Sequence, residues 1–289
     1  MTPETVGDLA ESLGAAGYLT DDALATALFL AVRMRQPILL EGEPGVGKTQ
    51  AAKSLAAAMD TPLIRLQCYE GLSSTEALYE WNYPRQLLGI RLAESRGEAL
   101  AEADLFADDY LLARPLLAAI SHPGPRPAVL LIDEVDRADD EFEAFLLELL
   151  AESTVTIPEL GTRRAVVPPV VVLTSNRTRE LHDALKRRCL YHWIAHPGVE
   201  QVAAIIRLRV PGADEWLAAR VARAVGRMRG FGLAKPPGVA EAISWASALH
   251  VLGASAVDGP AVRRTLSAVL KYEEDRAVAV ERLAEVVGE

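Results

Sequence analysis

Short apolar runs alternate with segments of helical periodicity over roughly the first two-thirds of the chain. The apolar runs predict buried strands, some of them apolar on both faces, at 36–42 (QPILLEG), 62–67 (PLIRLQ), 127–134 (PAVLLIDE), 169–174 and 189–195. Apolar residues three and four positions apart predict helices after Asp22, from Lys48 to Met59, and through Phe142, Phe145 and Leu149. Strands that alternate with helices indicate an α/β fold with a doubly wound parallel sheet.

Residues 68–126 give a less regular pattern, with two segments that look helical. The segment STEALYEWNYPRQLLGIRLAES is interrupted at Pro84, and DDYLLARPLLAAI contains Pro115. Proline inside a helix removes a hydrogen bond, so we expect a kink or two short helices at each site. Residues 154–167 contain two β-rich stretches around a glycine and predict a hairpin.

The pattern becomes helical throughout after His196-Pro197-Gly198. We therefore predict two domains: an α/β domain over 1–196, with an N-terminal helix and the hairpin, and a small all-α lid domain over 197–289.

Composition and charge restrict the class of protein. The chain has 289 residues and a net charge of −10, which argues against a nucleic-acid groove as its main surface. No apolar run is long enough to cross a bilayer, and the acidic N-terminus lacks the basic region of a secretory signal. Two distant cysteines suggest neither a disulfide framework nor a zinc site, so we expect a cytoplasmic protein.

The sequence GEPGVGKT matches the pattern of a phosphate-binding loop between a predicted strand and a predicted helix. Glycines let backbone N–H groups curl around phosphates, and the helix N-terminus adds positive potential. Lys48 would contact the β- and γ-phosphates, and the Thr49 hydroxyl would bind Mg²⁺. The alternative is a plain strand–turn–helix with an incidental lysine. The predicted nucleotide-binding residues here are Gly42, Glu43, Pro44, Gly45, Val46, Gly47, Lys48, Thr49 and Gln50.

Two carboxylates follow one another at the end of the strand VLLIDE. Asp133 would hold the Mg²⁺ shell, and Glu134 would orient and deprotonate a water for attack on the γ-phosphate. Carboxylates at a strand end are common by themselves, so this assignment depends on the phosphate loop.

Polar residues after two further elements complete the candidate set. Asn176 would hydrogen-bond the attacking water and the γ-phosphate if its strand lies between the strands that carry the two motifs above; otherwise it caps a turn. Arg187 and Arg188 end a short helix, where they either reach the nucleotide of a neighbouring subunit or are solvated and favoured by the helix dipole.

GEPGVGKT, LLIDEVDRA, VVVLTSN and ALKRRC occur in the order found in AAA+ ATPases, a family that the chain resembles over nearly its whole length. The fold this implies is an AAA+ P-loop NTPase. CYEGLSSTEALYEWNYPRQLL, ELLAESTVTIPELG and RPLLAAI are more narrowly similar to the MoxR branch, and most of all to its CoxD-type members.

The resemblance implies a homo-oligomeric ring, usually a hexamer, which binds ATP and Mg²⁺ between subunits, with Arg188 as the arginine supplied in trans. It also implies a von Willebrand A-domain partner and a client protein, such as a molybdenum enzyme of the CO-dehydrogenase type. The lid arginine called sensor 2 is carried over to Arg263, with Arg264 as the alternative, because both lie further downstream than usual.

Three functions fit these motifs. The leading one is an ATP-hydrolysing, chaperone-like remodelling ATPase. A nucleic-acid motor or clamp loader uses the same ATPase residues, and the acidic charge argues against it. A nucleotide-sensing scaffold that does not hydrolyse ATP would be expected to lack Glu134 or the arginine, and both are present.

Overall fold

A parallel sheet forms the centre of the first of two compact units in the computed structural model, which describes residues 3–97, 101–254 and 256–288. The strands run, in chain order, over Ile38–Glu41 (β1), Leu63–Gln67 (β2), Tyr79–Trp81 (β3), Leu111–Ala113 (β4), Val129–Asp133 (β5), Thr154–Ile157 (β6), Gly161–Arg164 (β7), Val170–Ser175 (β8) and Leu190–Trp193 (β9).

The main sheet has the order β2-β5-β8-β1-β9. β8 pairs in parallel with β1 on one side and with β5 on the other, and β5 pairs in parallel with β2. All residues of β1, β5 and β8 are buried, as expected for central strands covered on both faces. The predicted doubly wound parallel sheet is therefore confirmed, and β8 does lie between the strands that precede the two nucleotide motifs.

The helices among the described residues occupy Val6–Ala15 (α1), Asp22–Met34 (α2), Lys48–Ala58 (α3), Ser74–Leu78 (α4), Tyr83–Arg96 (α5), Glu102–Leu105 (α6), Pro115–Ile120 (α7), Asp140–Glu152 (α8), Asp183–Lys186 (α9), Val199–Arg209 (α10), Glu215–Arg229 (α11), Val239–Val251 (α12), Gly259–Val269 (α13), Glu273–Glu281 (α14) and Leu283–Val287 (α15). None of them is both long and apolar enough to cross a membrane. The residues after β9 fold into helices, as predicted.

The region 68–126 agrees with the prediction only in part: the first segment divides into two helices, α4 and α5, but the region also contains two short strands that the pattern does not predict. β3 and β4 pair antiparallel, with Tyr79 opposite Ala113, and α4 and α7 flank them. Pro84 and Pro115 lie in the first turns of α5 and α7. Proline is favoured at that position because its missing N–H has no partner there anyway, so the prolines begin helices and do not kink them.

The predicted hairpin at 154–167 is confirmed as β6 and β7, in which Ile157 pairs with Gly161. Val155 and Ile157 are fully buried, whereas the residues of β7 are exposed or half-buried. The first strand therefore anchors the hairpin and the second presents polar side chains to solvent.

Each unit has its own hydrophobic core. The first unit comprises Asp22–Glu41 and Ala52–His192 with the start of the chain up to Leu9, and its core includes Phe142, Leu130 and Ile132. The second comprises Ala10–Asp21, Gly42–Ala51 and Trp193–Glu289, and its core surrounds the fully buried Trp245. The boundary between the α/β domain and the lid domain, placed at 196/197 from the sequence, stays a prediction.

Candidate active site

The phosphate loop leaves β1 after Glu41 and enters α3 at Lys48. Gly45 and Gly47 have φ angles of +80° and +103°, a region that residues with a Cβ rarely adopt. The Lys48 ammonium group is buried and donates to the carbonyl oxygens of Gly42 (2.7 Å) and Glu43 (2.9 Å). The loop thus has the conformation that its glycines predict, and α3 presents its N-terminus to the loop.

Three other segments of the second unit pack on this loop. A Cβ on Gly42 would collide with the carbonyl oxygen of Ile194. Gly45 accepts a 3.0 Å hydrogen bond from the N–H of Val239, and Gly47 lies against the ring of Tyr18. Close neighbours therefore restrict Gly42 and Gly45, whereas at Gly47 the φ angle is the restriction, since a Cβ there would be in ordinary contact with Tyr18.

Asp133 lies at the carboxyl end of β5, and both of its carboxylate oxygens accept hydrogen bonds from other side chains. Its Oδ1 accepts a 2.6 Å hydrogen bond from the hydroxyl of Thr174, and its Oδ2 accepts from Nε (3.0 Å) and Nη2 (2.6 Å) of Arg65. Asp133 is buried, and these partners fix the orientation of its carboxylate, because charge-assisted hydrogen bonds of this kind are short and directional.

Glu134, the next residue, has a left-handed backbone conformation with φ 55° and ψ 50°. This conformation costs a non-glycine residue about 1–2 kcal/mol. The Glu134 N–H donates to Thr174 Oγ1 at 2.9 Å, and its carboxylate pairs with Arg137 at 3.1 Å. Its side chain remains about one-third exposed, so water can reach the carboxylate.

Asn176 follows β8, at the same edge of the sheet as Asp133, because the strands are parallel. Its backbone N–H donates to the buried carboxylate of Asp136 at 3.2 Å. The same carboxylate accepts from the N–H (2.8 Å) and the hydroxyl (2.7 Å) of Thr178. Asp136 therefore fixes the turn that carries Asn176.

The candidate arginines are exposed. Arg187 and Arg188 follow α9, and Arg188 donates from Nη1 to the carbonyl of Ala184 at 3.4 Å. Its own backbone carbonyl accepts from the side chain of Gln36. Arg263 lies exposed on α13 in the second unit, and its nucleotide role stays a prediction.

Sequence reasoning missed the residues that hold the candidate groups. Thr174 and Asp136 are part of the motifs VVVLTSN and LLIDEVDRA, but no pattern distinguishes a buried hydrogen-bonding side chain from a solvated one. Arg65 lies in a strand read as apolar, and its pairing with Asp133 becomes visible only through the pairing of β2 with β5.

The residues present suit a magnesium nucleotide. The hydroxyl of Thr49 in the second unit and the carboxylate of Asp133 in the first are each the kind of hard oxygen donor that Mg²⁺ prefers, and their joint role as ligands stays a prediction. Mg²⁺ is usually held by one or two such groups together with phosphates and water. Among the described residues no three His, Cys, Asp or Glu side chains cluster as a separate metal site, and this mode of binding needs none. The two buried cysteines have thiol pKa values raised to about 12 by burial, so they are not thiolate nucleophiles at neutral pH.

Comparison with known proteins agrees with this arrangement. Residues 37–189, more than half of the chain, match the family model described as AAA domain (dynein-related subfamily). No curated protein matches.

Solved structures match over most of the chain at low identity. The RuvB Holliday junction branch migration motor of Thermotoga maritima is 20% identical, with a TM-score of 0.49; the match covers 85% of this chain and 66% of that one. A candidate ATPase from Cytophaga hutchinsonii is 17% identical, with a TM-score of 0.50; the match covers 95% of this chain and 85% of that one. The chain thus spans about two-thirds of the length of this RuvB structure, and identities this low show only the fold.

AAA domains bind ATP, usually with Mg²⁺, hydrolyse it, and commonly assemble into rings. The matched segment contains the phosphate loop, the acidic end of β5 and Asn176. The chain belongs to the AAA family, in its dynein-related subfamily, and is an ATPase.

Proposed function

We propose that this ATPase is a MoxR-type motor, most like the CoxD-type members, that assembles into a ring and remodels a partner protein. ATP hydrolysis in the ring, usually a hexamer in this branch, does conformational work on that partner. The observation that supports hydrolysis is the order of the sheet, in which β8 lies between β1 and β5. This order brings Asn176 to the edge where β5 ends in Asp133 and Glu134, as a hydrolytic site requires. The branch rests on the segments CYEGLSSTEALYEWNYPRQLL, ELLAESTVTIPELG and RPLLAAI.

In this proposal the chain's own groups divide the work of hydrolysis. The backbone N–H groups of residues 42–50 and the Lys48 ammonium bind the phosphates. Glu134 accepts a proton from the attacking water, and the Asn176 amide orients that water beside the γ-phosphate. Thr49 and Asp133 would hold Mg²⁺, which when bound neutralises charge that develops on the phosphate oxygens.

The exposed arginines after α9 act on the neighbouring subunit's nucleotide in this proposal. Neither forms an ion pair with a carboxylate in the described part of the chain, and the side chain of Arg188 donates to the carbonyl of Ala184. An arginine supplied in trans raises phosphoryl-transfer rates about 10³–10⁵-fold where it operates. Arg188 is the proposed finger, and Arg187 is the alternative.

The partner would be a client protein handled with a von Willebrand A-domain protein, and a molybdenum enzyme of the CO-dehydrogenase type is the client class that we propose. The β6–β7 hairpin is the proposed client contact, because β7 presents exposed and half-buried polar residues while β6 anchors it in the core. The net charge of −10 supports a protein client over a nucleic acid.

The test compares ATP turnover of the purified chain with no addition, with a purified von Willebrand A-domain protein of the proposed partner class, and with duplex or single-stranded DNA. We expect stimulation by the protein and none by DNA, and we expect a client enzyme to gain activity with wild type but not with Glu134→Gln. Stimulation by DNA alone would overturn the proposal in favour of a nucleic-acid motor.

A further inference from the structure

Two backbone segments of the second unit pack closely against the phosphate loop, each at a different glycine. The first follows β9, where the carbonyl oxygen of Ile194 lies in the space that a Cβ on Gly42 would occupy. The second begins α12, where the Val239 N–H donates to the carbonyl oxygen of Gly45 at 3.0 Å. A Cβ on Gly238 would lie 2.9 Å from the Cα of Gly45, so these two backbones are in close contact.

Arg229, at the end of α11, joins these two segments. Its Nε donates to the carbonyl of Pro237 at 2.8 Å, one residue before Gly238, and its Nη1 donates to the carbonyl of Pro197 at 3.1 Å, three residues after Ile194. Its Nη2 is buried and has no acceptor among the described residues. The guanidinium is therefore held by two backbone oxygens that belong to the segments on either side of the loop.

Several charged side chains lie close to one another around the phosphate loop. Glu241 accepts a 3.0 Å hydrogen bond from the Gly238 N–H, and its Oε2 lies 3.2 Å from the position of a Cβ on Gly45. The pKa of His196 is lowered by burial and by Arg229 and Lys48, against the opposite effect of Glu43 and Glu241. A cation at residue 229 is thus close enough to influence groups around the loop.

We propose that Arg229 is a positioning residue for the phosphate loop. By fixing the carbonyls of Pro197 and Pro237, it holds the two segments that pack on Gly42 and Gly45, and so keeps the loop in the conformation that binds phosphate. The proposal rests on the proposed function in that residues 42–50 bind the nucleotide. It assigns a role in ATP affinity to an arginine outside every nucleotide motif of the sequence.

The first experiment replaces Arg229 with Met, which keeps much of the side-chain length and removes the donors. Two hydrogen bonds from a charged group are lost, so KM for ATP and the Kd of a fluorescent ATP analogue with Mg²⁺ should rise about tenfold or more. The kcat at saturating ATP should stay within about threefold of wild type, because the catalytic groups are unchanged. Arg229→Lys keeps the charge and can donate to a carbonyl, so it should recover part of the affinity.

The matched control is Arg223→Met, which removes an exposed arginine from the same helix and should leave KM unchanged. A fall in kcat with KM unchanged would indicate a smaller folded fraction or a catalytic role, and would overturn the proposal. Unchanged values for Arg229→Met would overturn it as well.

A second pair of variants tests the packing of the two segments on the phosphate loop without removing Arg229. Gly238→Ala places a methyl group against Gly45, whereas Gly198→Ala changes the corresponding residue before α10, where nothing lies within 4 Å. Only the first should weaken binding of the ATP analogue. If neither wild type nor variants hydrolyse ATP but the analogue binds, the proposed function fails while the binding titration still decides the role of Arg229.

Discussion

The hydroxyl of Thr174 connects the two acidic residues that follow one another at the end of β5. It donates to Asp133 Oδ1 and accepts from the Glu134 N–H, and Thr174 is itself buried. A single side chain on the neighbouring strand therefore contributes, with Arg65, to the direction of the Asp133 carboxylate, and it also holds the backbone N–H of Glu134.

Replacing Thr174 with Val, which has nearly the same shape, tests this connection. The change leaves Asp133 Oδ1 and the Glu134 N–H without this partner, so the free energy of unfolding should fall by about 1–3 kcal/mol. The kcat for ATP should fall about tenfold or more, since a misplaced catalytic group weakens transition-state stabilisation. Chemical denaturation and steady-state kinetics measure the two effects.

The control is Thr174→Ser, which keeps the hydroxyl and should recover most of the stability and the rate. A Val variant with wild-type stability and kcat would show that the hydroxyl does not organise these carboxylates.

For single residues, the sequence predicts the candidate catalytic side chains better than the residues that hydrogen-bond to them. Asp133, Glu134 and Asn176 lie at one sheet edge, as their positions after apolar strands indicate. The links through Arg65 and Asp136 join residues that are about 40 to 70 positions apart. Such links depend on strand pairing, which no local pattern encodes.

In the phosphate loop, both a positive φ angle and a close neighbour restrict the backbone at Gly45. Gly45 has φ +80° and lies against Gly238, while Gly71 has φ +84° and nothing within 4 Å of the point where a Cβ would lie. These two glycines have nearly the same φ angle and differ in their surroundings, so together they separate backbone strain from steric contact.

Gly71→Ala should lower the free energy of unfolding by about 1–2 kcal/mol through backbone strain, with KM for ATP unchanged. Gly45→Ala should show that strain and should also raise KM for ATP about tenfold or more, because the new methyl group pushes the loop from α12. Equal KM values for the two variants would contradict the close packing of Gly45 against the start of α12.

Elements with strong local patterns are predicted well, and elements that depend on distant partners are not. β5 and β8 are apolar almost throughout and are placed correctly, as is α3 after the glycine loop. β3 and β4 have three residues each and pair across about thirty intervening residues, so they resemble interrupted helices when read along the chain. The neighbouring leucines recur at helical spacing, and this pattern is stronger than the strand pattern of three residues.

For the whole molecule, the central question is whether subunits complete one another's sites. The exposure of Arg187 and Arg188 after α9 fits an arginine that acts on a neighbour. The sequence motifs predict the ATPase family, which the family comparison confirms over residues 37–189. Ring size, partner and client depend on surfaces that assemble only between chains, and they stay predictions.

Mixing two inactive variants tests action in trans. Lys48→Ala should lose nucleotide binding, and Arg188→Ala should bind ATP but lose turnover about 10³-fold or more. Mixed rings contain sites in which a wild-type phosphate loop meets a wild-type arginine, so mixing should restore part of the activity. Mass measurement verifies that mixed rings form, and an absence of rescue in verified mixed rings would reject Arg188 as the finger.

The most direct measurement is ATP turnover together with particle mass, for wild type and Glu134→Gln, with and without ATP. We expect slow hydrolysis by wild type and none by Glu134→Gln, which should bind ATP and accumulate as a nucleotide-dependent ring. Two proteins that both stay monomeric and inert in the presence of ATP and Mg²⁺ would contradict a self-sufficient ring ATPase.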